Sequence, residues 1–288
     1  MIFSEEGNFP IGKMCGWSEV SRSGYYGWRN RPLSATAHWR ADMAHLVEEI
    51  FTAHAGTYGY RRIAAELHRQ GHPIDEQTVR SIMRELGLVA CQVKAGGPRT
   101  TIPAADADDL PDLLRRDFTS DRLGAKLVGD ITYIPTWQGW LYLATVLDCH
   151  SKMVVGYAMA DNMRTTLVTD ALEMAAKNGF TTPGETIFHS DRGTQYMSNE
   201  FALFCEAYGI VRSVGRTGIC YDNAWAESFN STLKVERVHR VVYPTRRRAI
   251  ADIASWIELY YNRQRIHSAL GYRTPAEIVE SWIYTRAA

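Results

Sequence analysis

The chain has 288 residues, 45% of them hydrophobic, which exceeds one typical domain of roughly 100–200 residues and is enough for a substantial core. Its 32 basic and 32 acidic residues cancel, so bulk charge alone does not indicate a polyanionic partner. The charge is nevertheless segregated, since residues 207–248 carry eight basic residues against three acidic ones and residues 101–121 are acidic. A local basic segment of this kind is what a polyanion-binding protein needs.

Cysteine usage and hydropathy exclude several protein classes. The five cysteines are scattered and form no Cys-x-x-Cys, which argues against a zinc knuckle or a disulfide framework and favours reduced thiols in a cytosol. The N-terminus lacks the basic and apolar regions of a signal peptide. The most apolar stretch, Ile131 to Leu147, is interrupted by Pro135 and Gly139, which predicts two strands around a turn. We therefore expect a cytoplasmic protein with no membrane partner.

Residues 1–35 form an N-terminal helical segment in this interpretation. Two short helices are expected around Ser21 to Gly24, where Ser21 or Ser23 is able to cap a helix. Three aromatic residues follow: Tyr25, Tyr26 and Trp28. We interpret them as a cluster that packs against the next helices rather than as a base-stacking surface.

Helical periodicity continues through residues 37–90 and predicts helices over about Ala37 to Ala53, Tyr60 to Arg69 and Glu76 to Leu86. Two short helices joined by a tight turn beside a third are typical of a helix-turn-helix DNA-binding domain, although an ordinary three-helix bundle shows the same pattern. Polar residues on the outer face of the third helix, and two arginines that begin the second, suit base and phosphate contacts. The DNA-contact residues predicted here are Gln77, Arg80, Arg84, Arg61 and Arg62.

Residues 91–124 are predicted to be a linker because glycine and proline interrupt them at Gly96-Gly97-Pro98, Pro103 and Pro111. An antiparallel meander of three strands should follow, and then alternating helices and strands. The predicted elements are strands Leu127–Thr136, Trp140–Asp148 and Met153–Met159, helix Thr165–Lys177, strand Glu185–Phe188, helix Asn199–Tyr208 and strand Ile210–Val214.

The order of these elements, with a further helix after them, is that of the ribonuclease H fold. We therefore predict an α/β protein in which a ribonuclease H-like mixed-sheet catalytic core, residues 125–240, is preceded by the all-α helix-turn-helix domain. Residues 241–288 are predicted to be a C-terminal helical extension. In it, Thr274-Pro275-Ala276-Glu277 fits a capping box with proline at the first helical position.

Three acidic residues have notable positions. Asp130 lies within an apolar strand, Asp191 directly follows a short apolar run, and Glu227 lies on a predicted helix, with 60 and then 35 residues between them. Burying an aspartate without a partner costs several kcal/mol, so Asp130 is either hydrogen-bonded or bound to a cation. The second and third acids favour a hard divalent cation held by oxygen ligands. We predict that the three acids are the catalytic and metal-binding residues.

The helix around Glu227 supports this prediction. Glu227, Asn230 and Lys234 fall on one face, while Trp225, Phe229 and Leu233 form a second stripe that can pack on the sheet. Asn230 and Lys234 are therefore predicted DNA contacts. Two metal ions can activate water or a 3′-hydroxyl for in-line attack on a phosphodiester, with Asp191 or Asp130 bridging them and Glu227 binding one. Mg²⁺ suits so sparse a carboxylate set, and Mn²⁺ should be able to substitute.

In the C-terminal extension, Arg246, Arg247 and Arg248 are predicted to contact DNA, whereas the rest of residues 246–283 should be structural. His267 is interpreted as structural because two-metal phosphoryl transfer requires no histidine acid or base.

Several motifs together identify a family. The acid triad with its 35-residue second interval and a lysine seven residues after the glutamate are joined by four further blocks. These are His189-Ser190-Asp191-Arg192-Gly193, Tyr221-Asp222-Asn223-Ala224, Tyr261-Asn262 with Arg265, His267, Leu270-Gly271 and Pro275, and Tyr58-Gly59-Tyr60-Arg61-Arg62. With them the chain resembles, over nearly its whole length, the bacterial insertion-sequence transposases of OrfB type in the DDE retroviral-integrase superfamily. It departs at Leu127-Val128-Gly129, where many relatives carry a tryptophan.

The resemblance implies a DDE-type polynucleotidyl transferase that cleaves DNA ends and transfers strands with Mg²⁺. The implied partners are double-stranded DNA of the element's terminal repeats and of the target, an upstream-frame OrfA protein as a frameshift fusion, and further copies of the chain on DNA. It also implies a nucleoid-associated protein of the bacterial cytoplasm. Two alternatives stay open: a non-catalytic helix-turn-helix regulator with a degenerate nuclease-like core, and a ribonuclease H-like nuclease that hydrolyses without joining.

Overall fold

The computed structural model describes residues 1–91, 110–215 and 223–287. Most of the predicted linker, including Gly96-Gly97-Pro98 and Pro103, lies outside the described residues, as do Tyr221 and Asp222 of the Tyr-Asp-Asn-Ala motif. The predicted helices and strands agree with the observed ones to within about two residues, which is the usual uncertainty of element ends.

A five-stranded mixed sheet organises the core. The strands are β1 (Lys126–Thr136), β2 (Gly139–Asp148), β3 (Val154–Ala160), β4 (Ile187–Ser190) and β5 (Val211–Val214). They lie in the order β3-β2-β1-β4-β5, with β1, β2 and β3 antiparallel and with β4 parallel to both β1 and β5. Because β4 pairs only with the first residues of β1, the second half of β1 has one edge free of strand pairing among the described residues.

Helices cover both faces of this sheet. On one face lie α6 (Thr165–Lys177) and α7 (Asn199–Ala207), whose apolar residues share a buried cluster with Leu127 and Phe188. On the other face lie α8 (Ala224–Glu236) and α9 (Arg246–Ser255), packed on Val128 and Ile134. The core is therefore a three-layer α/β unit, and the predicted fold class is confirmed.

Gly156 on β3 lies against α6, and its contact distances give a stability prediction. A Cβ at this position would lie 2.1 Å from the carbonyl oxygen of Ala171 and 2.8 Å from the amide nitrogen of Ala175. Because both atoms belong to helix backbone, Gly156→Ala should lower the free energy of unfolding by about 1–3 kcal/mol or more. Denaturant titration measures this, and Gly27→Ala in the exposed helix of the N-terminal segment is the control. No atom lies within 4 Å of a Cβ at Gly27, so that control should be neutral or stabilising.

The N-terminal segment forms α1 (Ile11–Trp17) and α2 (Arg22–Arg29). Ser21 caps α2, since its hydroxyl oxygen accepts from the Gly24 amide at 3.0 Å. The ring of Trp28 packs on Tyr25 and on Phe3 of the N-terminal turn, and 58% of Trp28 remains exposed. The described aromatic contacts thus join the segment to itself, whereas we had expected packing against the following helices.

The three helices of the helix-turn-helix region are α3 (Ala35–Ala53), α4 (Tyr60–Arg69) and α5 (Glu76–Glu85). The Asp75 carboxylate caps α5 by accepting from the amides of Gln77 and Thr78. The apolar cluster of these helices also contains Ile266 from the C-terminal extension. The helical region is therefore packed against the end of the chain.

The C-terminal extension continues α9 through a π-helical turn, Trp256–Tyr261, and ends with α10 (Pro275–Ala287). The predicted capping box is present, because the Thr274 amide donates to Glu277 at 2.7 Å and the Glu277 amide donates to Thr274 at 3.2 Å. In the described part of the chain, no helix has the length and apolar character needed to cross a membrane.

Candidate active site

The parallel register of β1 and β4 brings two of the predicted acids together. Val128 lies opposite His189, so continuing the register by two residues places Asp130 beside Asp191. Neighbouring strands lie about 4.8 Å apart, so the two residues are neighbours at the point where β4 ends beside the middle of β1. Asp191 follows the last residue of β4, and its carboxylate accepts from the Gly193 amide at 3.0 Å. Both carboxylates therefore lie at one edge of the sheet.

Two asparagines hydrogen-bond helix α8 to this edge. The side-chain amide of Asn223, just before α8, donates to the Gly129 carbonyl at 3.1 Å. Two turns later, the amide of Asn230 donates to Asp130 Oδ2 at 2.8 Å. Glu227 precedes Asn230 by three residues and so lies on the same face of the helix. The two hydrogen bonds therefore orient α8 so that Glu227 faces the two aspartates.

Burial and neighbouring carboxylates shift the pKa values at this edge. Burial, then the negative charge of Asp191 and to a smaller extent that of Glu227, raise the pKa of Asp130 to about 7, against the hydrogen bonds from Ile131 and Asn230. Burial also raises the pKa of Asp191, which the Gly193 amide and His189 counteract. The pKa of Glu227 is raised by burial and then by Asp191. Mutual repulsion of this kind is what a bound cation relieves.

The oxygen atoms at this edge fit a hard divalent cation. The side-chain oxygens of Asn223 and Asn230 add to the three carboxylates, since both are buried and have no hydrogen-bond partner among the described residues. Oxygen donors of this type suit Mg²⁺ or Mn²⁺ rather than the softer metals. Within the described ranges, no group of three or more His, Cys, Asp or Glu side chains is placed to hold a metal ion as the side chains stand. The three carboxylates would therefore have to move toward a bound ion, and Mg²⁺, which keeps several of its waters, needs few protein ligands.

The space behind Asp130 explains the glycine that precedes it. A Cβ at Gly129 would lie 2.3 Å from Cζ of Phe188, so the ring of Phe188 occupies the volume beside this position. Phe188 is 2% exposed and belongs to the β4 strand that carries Asp191. The departure at Leu127-Val128-Gly129 is therefore accompanied by close packing of β4 against the backbone of β1, directly behind the acids.

Known proteins resemble this chain over almost its whole length. It is 36% identical over 282 residues to the transposase InsF for insertion sequence IS3A of Escherichia coli K12, with 96% of each chain covered. The chain belongs to the IS3-type transposase family. A second relative, the insertion element IS600 uncharacterized 31 kDa protein of Shigella sonnei, is 37% identical over 272 residues, with 93% of this chain and 98% of the relative covered.

Three family models match the transposase. An integrase core domain model matches residues 120–220, a second integrase core domain model matches residues 208–275, and an HTH-like domain model matches residues 38–95. The predicted family, the enzyme class and the DNA-binding helix-turn-helix region are thereby confirmed. The domain boundaries themselves remain predictions.

Two solved structures resemble the chain more distantly. One is the simian T-cell lymphotropic virus intasome in complex with PP2A regulatory subunit B56 gamma, at 15% identity and a TM-score of 0.47, with 81% of this chain and 73% of that chain covered. Another is the HTLV-2 integrase catalytic core domain in complex with magnesium, at 18% identity and a TM-score of 0.42, with 54% of this chain and 96% of that chain covered.

Three residues predicted to contact DNA have other partners in the transposase. Asn230 is 7% exposed and is bonded to Asp130, so it positions a carboxylate. Arg62 lies 3.8 Å from Glu236 and over the ring of Tyr58, which directs it into the protein. Arg246 donates from Nε to the Trp140 carbonyl at 3.0 Å and supports the β1–β2 turn. Sequence spacing places each residue on a helix but does not identify the neighbour that its side chain meets.

The other predicted contacts lie on the surface. Gln77, Arg80 and Arg84 are exposed on the outer face of α5, and Arg247 and Arg248 are exposed at the start of α9. Arg61 is 68% exposed at its side chain, with Glu76 at 3.7 Å. Lys234 is half-buried, with Nζ 4.4 Å from the centre of the Tyr133 ring. These side chains remain accessible to a DNA backbone.

Sequence reasoning missed the residues that join the helix-turn-helix region to the core. Arg265 donates to both carboxylate oxygens of Glu236, at 2.8 and 2.7 Å, and both side chains are buried. The hydroxyl of Tyr58 accepts from the Ile266 amide at 2.9 Å. Arg265 and Tyr58 stand in the motifs that carry the family resemblance, but spacing gave no indication that Glu236 was the partner. Burial and the nearby arginines lower the pKa of His267 to about 2, which agrees with its interpretation as structural.

Proposed function

We propose that this transposase cleaves the ends of its insertion sequence and transfers the freed strands with Mg²⁺, using Asp130, Asp191 and Glu227 as catalytic metal ligands. The observation that carries the proposal is the convergence of Asp130, Asp191 and the Glu227 helix at one place on the sheet, where burial raises the pKa of all three carboxyl groups. Such a group of acids is costly without a cation, and the unpartnered asparagine oxygens add to the same oxygen-rich edge.

Each side chain has a role in this proposal. The ions, when bound, would activate water or a 3′-hydroxyl and stabilise the leaving oxygen. Asp130 would hold them from the middle of β1, Asp191 from the end of β4, and Glu227 would add a ligand from α8. Asn230 would keep the Asp130 carboxylate in orientation through its 2.8 Å hydrogen bond. Lys234 would bind a DNA phosphate beside Asp130, whose charge counteracts the lowering of the Lys234 pKa by burial.

We further propose that DNA binds along two exposed surfaces. The outer face of α5 would contact the terminal repeat, with arginine reaching bases or phosphates. The arginines at the start of α9 would contact backbone phosphates near the core. The residues assigned to these surfaces are Gln77, Arg80, Arg84, Arg61, Arg247 and Arg248. These surfaces would belong to a helix-turn-helix domain of residues 37–90, a catalytic core of residues 125–240 and a C-terminal extension of residues 241–288.

The partners follow from the same reaction. The transposase would bind the terminal repeats and the target DNA, and it would act in the bacterial cytoplasm as an oligomer on DNA. We also propose that an upstream-frame OrfA protein is joined to it by frameshifting.

A joining assay tests the reaction type. The transposase is incubated with terminal-repeat DNA that carries a free 3′-hydroxyl, a target duplex and Mg²⁺, and the products are separated on a denaturing gel. Joined strands longer than either substrate are expected. Shortened strands alone would identify a nuclease that only hydrolyses, and bound but unchanged DNA would identify a non-catalytic regulator.

A pH series tests the proposed metal site through stability. Without metal, the folded state favours protonated Asp130, because its pKa lies near 7 instead of the ordinary 3.8. That contribution is complete below about pH 4 and is lost as the pH rises to about 7. Metal must displace the proton, so the rise in unfolding temperature caused by Mg²⁺ over EDTA should grow from about pH 5.5 to about pH 8. Asp130→Asn should remove most of this growth, and an equal Mg²⁺ effect at both pH values would contradict the site.

A further inference from the structure

Three large aromatic side chains stand exposed on the hairpin formed by β1 and β2. Tyr133 is 41% exposed, Trp137 is 76% exposed and Trp140 is 49% exposed. The rings of Tyr133 and Trp140 contact edge to face, with centroids 5.0 Å apart. We refer to these three residues as the aromatic hairpin. Exposed aromatic surface concentrated on one hairpin in this way often marks a binding site.

The aromatic hairpin is held rigidly by the polypeptide around it. The Trp137 amide donates to the Tyr243 carbonyl at 3.0 Å, and the Thr136 hydroxyl donates to the Gly139 carbonyl at 2.6 Å. The Arg246 amide donates to Gln138 Oε1 at 3.0 Å. A ring on a fixed turn loses little conformational freedom when a ligand covers it, so these rings are well prepared for stacking.

Positive charge and the candidate active site adjoin the aromatic hairpin. Lys234 Nζ lies 4.4 Å from the centre of the Tyr133 ring. Arg246 lies at the turn, 4.0 Å from Asp161, and Arg247 and Arg248 beside it are exposed. Tyr133 follows Asp130 by three residues of strand, which is about 10 Å. Aromatic rings interleaved with cations are the pattern of a single-strand nucleic-acid surface.

We propose that the aromatic hairpin binds unpaired bases of the donor DNA beside the scissile phosphate. Bases inside a duplex already stack on each other and offer no free face, so the ligand must be nucleotides opened from the DNA end. A distance of about 10 Å corresponds to about three nucleotides at duplex spacing. The inference rests on the proposed function, because the carboxylate edge defines where the scissile phosphate lies.

A photocrosslinking experiment tests the inference. The DNA is a terminal-repeat duplex of the element with an unpaired end, carrying 5-iododeoxyuridine either about three nucleotides from the cleavage point or about ten nucleotides away. Binding and irradiation are done in EDTA, so the result does not depend on catalysis. Crosslinks from the near position should map to the aromatic hairpin. Crosslinks that map elsewhere from the near position would overturn the proposal.

Affinity measurements supply the matched control. Trp137→Ala should weaken binding of the open-ended DNA about tenfold, the effect of losing one base–aromatic stack, and should leave binding of the fully paired duplex nearly unchanged. Tyr284→Ala is the control, since Tyr284 is also 76% exposed. Tyr284 lies on α10, whose Trp282 contacts His150 just beyond the far end of β2. An equal loss on both DNAs, or an equal loss in Tyr284→Ala, would overturn the proposal.

Two results separate this inference from its rivals. Suppose that Trp137→Ala changes the sedimentation of the DNA-free protein and that the near crosslinks of the unmodified transposase do not map to the hairpin. The surface then binds another copy of the chain, and the proposal is wrong. If Glu227→Gln still joins DNA while the near crosslinks map to the hairpin, the assignment of the acids fails and the base-binding surface stands. If Glu227→Gln fails to join DNA while the near crosslinks map away from the hairpin, the assignment of the acids stands and the base-binding surface is rejected.

Discussion

Glu227→Gln is expected to lower both end cleavage and strand transfer by roughly 10³-fold or more, with DNA binding retained. The amide keeps the shape of the side chain but removes the charge that helps to hold a cation. Loss of even a neutral group that stabilises charge in a transition state costs 10²–10³-fold, and a lost ligand charge should cost at least as much. Gel-shift affinity and joined product, measured on the same preparation, separate binding from chemistry.

The control for this prediction is Glu206→Gln, which makes the same substitution at an exposed residue on α7. That variant should cleave and join like the unmodified transposase. Asn230→Ala is an intermediate test, because it leaves all three carboxylates but removes the hydrogen bond to Asp130. A loss of about 10–100-fold is expected for it, as for other residues that orient a metal ligand. Strand transfer at the normal rate by Glu227→Gln would reject the proposed site.

Glu236→Ala should be the most destabilising single change outside the active site. It would leave Arg265 buried without its carboxylate, and Arg62 would lose the same partner. Removing one partner of a buried ion pair costs about 3–5 kcal/mol, which should lower the unfolding temperature by roughly 10 °C in a chain of this size. Differential scanning calorimetry measures the shift.

Two further variants define the cause of that loss. The double variant Glu236→Gln with Arg265→Met should be less destabilising than Glu236→Ala, since the fully buried Arg265 charge is gone and only the partly exposed Arg62 lacks its carboxylate. Glu85→Ala breaks the exposed pair with Arg40 and should leave the unfolding temperature almost unchanged, because exposed pairs contribute little in water. Equal effects of Glu236→Ala and Glu85→Ala would show that the buried pair is unimportant for stability.

The Glu236 pair also connects two parts of the transposase. Glu236 ends the helix that carries Glu227, while Arg62 belongs to α4 of the helix-turn-helix region. Arg265 belongs to the C-terminal extension, whose Ile266 lies in the apolar cluster of the helix-turn-helix. One buried carboxylate therefore links α8 to the region that is expected to bind the terminal repeat. Weakening this contact should loosen that region from the core, which limited proteolysis can detect.

Local patterns in the sequence were sufficient to predict the secondary structure and to propose the three acids. Helix α4 begins and ends at the predicted residues, and the capping box at Thr274 forms the two predicted hydrogen bonds. Periodicity, caps and turn residues depend on neighbours a few positions away, which the sequence displays directly. Asp130 and Asp191 could be proposed because a charge within or beside an apolar strand is costly, and Glu227 because it shares a helix face with Asn230 and Lys234.

Only the tertiary structure decided which partner each polar side chain meets. Asn230 lies on the predicted face of α8 but bonds to Asp130, 100 residues earlier in the chain. Arg62 turns toward Glu236 rather than outward, and the rings of Tyr133 and Trp140 remain in solvent although they belong to an apolar strand pattern. These outcomes depend on how distant segments pack, because a hydrogen bond or an ion pair forms wherever the fold leaves a partner within reach. Residue spacing along the chain does not give the distance between two side chains in the folded protein.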